Sequence, residues 1–176
     1  MKKVLKFAGS LIIGMCMGAA GVILGISWFT GTSLTAFLEH LKIETLLSSM
    51  FISLISLFIA GYLQIILHEA GHLLFGLATG YKFISFRIGK LTLIKEKGRF
   101  KIKYFKIPGT AGQCLLLPPD VSPQQLPFIL YNLGGVLMNL FSAIVAILLL
   151  TTIPSIFTPL KLFLLFTALI GILFAL

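Results

Sequence analysis

The sequence predicts an all-α polytopic membrane protein with about four transmembrane helices and a small cytoplasmic-side β-hairpin or sheet. Three observations lead to this fold class. Hydrophobic residues make up 58% of the 176 residues and charged residues only 11%. The apolar residues form long runs, and one basic segment between the runs alternates between polar and apolar side chains. We expect a single membrane-embedded domain over residues 1–176.

Charge distribution predicts the orientation in the membrane. The net charge is +9, and its basic residues are concentrated at Lys2, Lys3 and Lys6 and within residues 82–106. Basic loops beside apolar spans lie on the cytoplasmic side of a membrane. This places the N-terminus and the segment 82–106 in the cytoplasm. It also explains the charge through contact with the lipid bilayer, so that nucleic acid is not expected as a partner.

Four apolar runs have the length that a bilayer crossing requires. The predicted spans are residues 7–29, 45–80, 126–152 and 160–176, and about 20 helical residues cross a hydrocarbon core of about 30 Å. The first span carries Gly14, Gly18, Gly21 and Gly25. Glycines at this spacing let a second helix approach closely, either within the protein or in a homodimer.

Residues 81–108 predict β-structure, because polar and apolar side chains alternate there with a period of two. Lys97 and Gly98 supply a turn between two of the alternating stretches. We expect a small antiparallel sheet at the inner membrane surface, with one apolar and one basic face. An exposed strand edge could receive an extended peptide, and a plain surface hairpin is the alternative. Glycines and prolines in residues 109–123 predict a loop.

The chemistry of the chain is concentrated in His68-Glu69-Ala70-Gly71-His72, inside the second apolar run. Residues four apart share one face of a helix, so both histidines can bind one zinc ion, and Glu69 can act as the base that deprotonates water. The alternative is a polar helix end in the headgroup region. Ionisable residues within an apolar helix are costly, which favours the functional interpretation.

The motif, the basic loop and the segment Gly134-Gly135-Val136-Leu137-Met138-Asn139 together resemble the site-2 protease family of intramembrane zinc metalloproteases. The resemblance covers residues 45–152. It implies that His68 and His72 bind zinc, that Glu69 is catalytic and that Asn139 binds the substrate backbone. Val136 stands where the family pattern has proline. The implied substrates are transmembrane proteins or peptides, either membrane-bound regulators or signal-peptide remnants, and the implied location is a bacterial cell membrane.

The third zinc ligand of that family is an aspartate in a following helix, and the chain has a single aspartate, Asp120, in a predicted loop. We therefore expect the third ligand beyond Leu176, with this chain as the N-terminal portion of a longer protease. Asp120 as a substitute ligand is the alternative. Two other functions stay open: a catalytically silent membrane protein that binds partners without cleaving them, and a metal transporter, which would need more polar residues along the spans.

Overall fold

The computed structural model describes residues 43–153 and 155–176. Its elements are, in chain order, α1 (Ile43–Ala78), β1 (Lys82–Ile88), β2 (Leu91–Glu96), β3 (Arg99–Tyr104), β4 (Gly112–Leu117), a 3-10 turn (Pro123–Gln125), α2 (Phe128–Thr152) and α3 (Thr158–Ala175). The chain divides into two units, residues 1–50 and 51–176. The contacts described for the helices and the sheet lie within residues 51–176. The predicted first span, 7–29, lies outside the described residues, and the single domain over 1–176 stays a prediction.

Three helices of the described part are long and apolar enough to cross a membrane: Leu47–Ala78, Phe128–Thr152 and Thr158–Ala175. Their ends lie within about two residues of the predicted spans 45–80, 126–152 and 160–176. These helices and the sheet confirm the class of membrane-embedded protein with a small β-region. The total of four spans and the cytoplasmic side of the sheet stay predictions.

Helix α1 ends at Ala78, two residues before a glycine with left-handed backbone conformation. Gly80 has a φ of +89°, a left-handed conformation that glycine adopts without steric cost. The amide of Tyr81 donates to the carbonyl of Gly76 at 3.0 Å, and the amide of Gly80 donates to the carbonyl of Leu77 at 3.2 Å. This pair of bonds satisfies the last helical carbonyls. The chain then turns directly into β1.

The four strands form one antiparallel sheet in the order β3-β2-β1-β4. The turn between β2 and β3 is the predicted Lys97-Gly98, and both residues have positive φ, at 49° and 78°. Such values allow a tight two-residue hairpin whose twist matches that of its strands.

The loop predicted over residues 109–123 is wrong for β4. Residues 112–117 pair with β1, with Cys114 opposite Phe86 and Gly112 opposite Ile88. Gly109 and Pro118 therefore bound a strand rather than interrupt it. The strand ends in the consecutive apolar residues Leu115-Leu116-Leu117, so its sequence does not alternate between polar and apolar side chains.

Strands β2 and β3 have one apolar and one polar face, as the alternating pattern predicts. Register places Leu91 opposite Tyr104 and Leu93 opposite Ile102, so apolar side chains share one face. The other face of β3 is basic, and Lys101 and Lys103 both form ion pairs with Glu96. These hydrogen bonds, first that from Lys103 and then that from Lys101, hold the pKa of the Glu96 carboxyl below its usual range. Exposed pairs of this kind contribute little to stability.

The inner edge of the sheet is attached to two helices. Leu116 packs so closely on Gly76 of α1 that no Cβ would fit there. The hydroxyl of Tyr131 in α2 donates to the carbonyl of Cys114 at 3.1 Å, and its ring stacks on Tyr81 at 4.9 Å. As a result, β4 runs alongside α1 at the level of the histidine motif.

A buried amide joins the three helices. The fully buried Gln64 of α1 donates through Nε2 to Ser142 Oγ of α2 at 2.9 Å and to the Thr167 carbonyl of α3 at 2.8 Å. Ser142 Oγ in turn lies 2.8 Å from the carbonyl of Asn139. Polar bonds between helices are favourable inside a membrane, where water cannot replace them. Gln64 lies one helical turn before His68, so the network fixes the helices next to the motif.

Candidate metal centre

Helix α1 places His68 and His72 one turn apart with their rings at an interplanar angle of 81°. Their Nε2 atoms lie 3.1 Å apart, within hydrogen-bond distance of each other. Two nitrogens at this separation, each about 2.05 Å from one zinc ion, would subtend about 98° at the metal. That angle is near the roughly 109° of a tetrahedral site. The donor set therefore fits one zinc ion held by two Nε2 atoms.

The tautomer of His72 is fixed by α2. Its Nδ1 lies 2.7 Å from the backbone carbonyl of Tyr131. A carbonyl can only accept, so Nδ1 carries the proton and donates it. The lone pair of the neutral ring is then on Nε2, the atom that faces His68. A metal-binding histidine is normally oriented by a bond of this kind from its other nitrogen.

Asn139 is the corresponding neighbour of His68. Its amide Nδ2 lies 3.1 Å from His68 Nδ1, and the side chain is fully buried. The other amide atom, Oδ1, is buried and has no hydrogen-bond partner within residues 43–153 and 155–176. Rotation of the amide would bring Oδ1 to His68, where it would accept a proton from Nδ1 and leave the Nε2 lone pair free for a metal. As placed, the amide donates to Nδ1, so His68 Nε2 carries the proton and donates it to His72 Nε2, and only the rotated amide gives the metal-binding tautomer.

Glu69 lies beside the histidines in a cavity of about 410 Å³, which is lined by Ile65, His68, Glu69, Ala111, Gly112 and Phe174. The side chain packs on Gly112 of β4. A Cβ at Gly112 would lie 2.6 Å from Glu69 Cγ and 2.8 Å from its Oε1. A side chain at this position would therefore displace the Glu69 carboxylate from where it lies. The cavity has a volume in the usual range of small ligand sites.

A third metal ligand is not found in the part of the chain that the structure describes. Within residues 43–153 and 155–176, no group of three histidine, cysteine, aspartate or glutamate side chains is close enough to bind one metal ion. Asp120 is exposed and does not join His68 and His72. The substitute role that we considered for Asp120 thus has no geometric support, and the zinc site itself stays a prediction.

The four site residues predicted from the sequence are brought together. His68, Glu69 and His72 share one end of α1, and Asn139 reaches them from α2. The structure assigns Asn139 a contact with His68, whereas its predicted contact with a substrate is not tested. Sequence reasoning missed the Tyr131 carbonyl and Gly112. A backbone carbonyl leaves no sequence signal, and Gly112 could have been found only if β4 had been predicted.

Comparison with known proteins gave no match: no family model, no curated protein and no solved structure is significantly similar to this chain.

Proposed function

We propose that the chain is a zinc endopeptidase that hydrolyses peptide bonds within or near transmembrane segments, as site-2 proteases do. The observation that carries the proposal is the pair of Nε2 atoms 3.1 Å apart on a membrane-spanning helix, next to a carboxylate in the same cavity. A binding protein would need neither the convergent histidines nor the adjacent Glu69. The resemblance in sequence points to the same activity.

Each residue of the site has a separate task. His68 and His72 would hold the zinc through Nε2, with Asn139 and the Tyr131 carbonyl orienting the two rings. When bound, zinc lowers the pKa of a coordinated water and polarises a peptide carbonyl. Glu69 accepts the proton of the attacking water and returns it to the leaving amine, as a general base and then a general acid.

The cavity determines what can reach Glu69. It opens between α1, the end of α3 and the segment of residues 111–112, so its walls combine helix and strand. The peptide bonds of a regular helix are protected by their own hydrogen bonds, so we expect the substrate to be locally unwound at this point. The third ligand would come from residues outside the part of the chain that the structure describes. Phe174, in the last turn of α3, lines the same cavity.

The test is a Glu69→Gln variant in liposomes that also contain a panel of single-span peptides, each with a fluorophore and a quencher on opposite sides of the inner third of the span. Because the histidines are untouched, zinc content should stay that of the wild type while cleavage falls by at least about a hundredfold. Glu96→Gln, at an exposed position of the sheet, is the control and should cleave normally. Equal cleavage by wild type and Glu69→Gln would refute the role of Glu69. A zinc-loaded wild type that binds the peptides without cutting them would favour the catalytically silent alternative.

A further inference from the structure

Arg87 of β1 is a buried cation that the proposed chemistry does not use. Its side chain is 1% exposed, and among the residues that the structure describes its Nε has no hydrogen-bond partner. Within the described residues it forms no ion pair, since both salt bridges found there belong to Glu96. Burying a charge without an ionic partner is costly, and an apolar residue would fill the same space at less cost. The position therefore calls for a specific use of the guanidinium.

The guanidinium of Arg87 contacts two segments of chain, the turn after β1 and residues 110–112. Nη1 donates to the Gly89 carbonyl at 2.9 Å, and Nη2 donates to Thr110 Oγ1. Longer contacts reach the carbonyls of Thr110, at 3.5 Å, and Gly112, at 3.4 Å. Arg87 thus joins the β1 turn to residues 110–112. A planar fork with five donors is suited to several acceptors in fixed positions.

Residues 110–112 form the wall of the cavity opposite the histidine helix. Ala111 and Gly112 line the cavity, and Gly112 lies against the Glu69 side chain. Besides Arg87, the segment is held by the Gly89 amide, which donates to the Ala111 carbonyl at 2.7 Å, and by the pairing of Gly112 with Ile88. Gly109, with a φ of +85°, precedes this segment, and Thr110, its first residue, is exposed. Without Arg87 the segment would lose its side-chain contacts with β1 and keep the Gly89 amide bond and the pairing of Gly112 with Ile88.

We propose that Arg87 is a positioning residue: it holds residues 110–112 against Glu69 and so shapes the part of the site that contacts a bound peptide. The proposal rests on the proposed function for its chemistry, while the contact between Arg87 and the wall can be tested without it. Arg87 does not touch the histidines, so metal binding does not depend on it.

The test compares Arg87→Met with Arg99→Met, the same substitution at an exposed arginine of the same sheet, and uses two readouts. The first is hydrogen exchange of backbone amides in detergent. In Arg87→Met, exchange should rise at least about tenfold in residues 105–113 and stay unchanged in the β2–β3 hairpin. Thr110→Val, which removes one acceptor at an exposed position, should give a smaller rise in the same segment and covers the case in which Arg87→Met does not fold.

The second readout uses two zinc-binding probes. Acetohydroxamate contacts only the metal and its immediate surroundings, whereas a peptide hydroxamate also lies along the wall. Arg87→Met should bind zinc and acetohydroxamate as the wild type does, and should bind the peptide hydroxamate at least about tenfold more weakly. Arg87→Lys should bind the peptide hydroxamate with an affinity between those of the wild type and Arg87→Met. Arg99→Met should match the wild type throughout.

The outcomes separate this proposal from the proposed function. Wild type that binds neither zinc nor acetohydroxamate would refute the metal site, and exchange in residues 105–113 would still decide the role of Arg87. Unchanged exchange in Arg87→Met would refute that role. So would a uniform rise over the whole sheet, which would make Arg87 a general core residue, or equal weakening of both hydroxamates.

Discussion

Gly71 of α1, which lies between His68 and His72, and Gly134 of α2 are in backbone contact. A Cβ at Gly71 would lie 2.6 Å from the carbonyl carbon of Gly134 and 2.8 Å from Met138 Cγ. A Cβ at Gly134 would in turn meet the Gly71 carbonyl at 2.5 to 2.8 Å. This close approach lets α2 place both the Tyr131 carbonyl and the Asn139 amide beside the histidines. The two glycines therefore set the distance on which the site depends.

Gly71→Ala should destabilise the fold, because backbone atoms of α2 would have to move. Overpacking of this kind costs about 1 to 3 kcal/mol. Gly61→Ala in the same helix is the matched control, since its Cβ would meet only Ile170 Cδ1 at 3.8 Å, an ordinary contact. It should change stability by no more than about 0.5 kcal/mol. Thermal unfolding in detergent measures both, and equal melting temperatures would contradict the close contact.

Gly135→Ala and Gly112→Ala should damage different parts of the site. A Cβ at Gly135 would lie 2.5 to 2.7 Å from the ring of His68, whereas one at Gly112 would meet Glu69. Gly135→Ala should therefore weaken zinc binding by about tenfold or more, which corresponds to about 1.4 kcal/mol. Gly112→Ala should retain zinc and lose cleavage. Zinc titration and the peptide cleavage assay distinguish the two, and the reverse pattern would contradict the arrangement described above.

Asn139→Leu tests whether this residue orients His68 or contacts only the substrate. Loss of a bond to the second ring nitrogen of a zinc-binding histidine costs about 10- to 100-fold in metal affinity. Asn139→Leu should show such a loss. Thr151→Val, which removes a hydroxyl bonded to its own helix near the end of α2, should show none. Unchanged zinc affinity combined with a raised KM would instead support the substrate contact that the sequence predicts.

Cys114 should react slowly with alkylating reagents. Burial, together with the nearby charge of Glu69, raises the pKa of its thiol from 9.0 to about 12. The thiolate fraction at pH 8 is then lower by about a thousandfold than in the unfolded chain. A Cys16→Ser variant, in which Cys114 is the remaining thiol, should react with iodoacetamide at least about a hundredfold more slowly when folded than in denaturing detergent.

The raised pKa also sets a pH window for stability. Folding favours the protonated thiol, so the contribution of Cys114 to the free energy of unfolding is complete below about pH 9 and is lost as the pH rises toward about 12.

The control for the alkylation experiment is a cysteine introduced at the exposed Ser122, with both natural cysteines replaced by serine. It should react at the same rate folded or denatured. A fast reaction of Cys114 in the folded protein would contradict its burial.

Features with a strong local pattern were predictable from the sequence. The ends of the three described spans follow from the length of apolar runs, the stop at Gly80 from its conformational freedom, and the Lys97-Gly98 hairpin from its turn residues. His68, Glu69 and His72 were predicted as site residues from their helical spacing inside an apolar run, and that role stays a prediction. In each case the signal lies within a few residues of the feature.

Features that depend on contacts between distant segments were not predictable. β4 has turn residues on both sides and no alternation, because it is specified by pairing with β1. The contact of Gly112 with Glu69, the reach of Arg87 to residues 110–112 and the bond from His72 to the Tyr131 carbonyl all join parts of the chain that only the folded structure brings together.

The central claim is tested most directly by the zinc content of the purified chain in detergent, compared with His68→Ala and His72→Ala. The geometry predicts about one zinc per chain in the wild type and at least about tenfold weaker binding in each variant, because the two Nε2 atoms share the ion. Wild type that binds no zinc, or zinc retained equally by all three proteins, would contradict the claim that these histidines form a metal site.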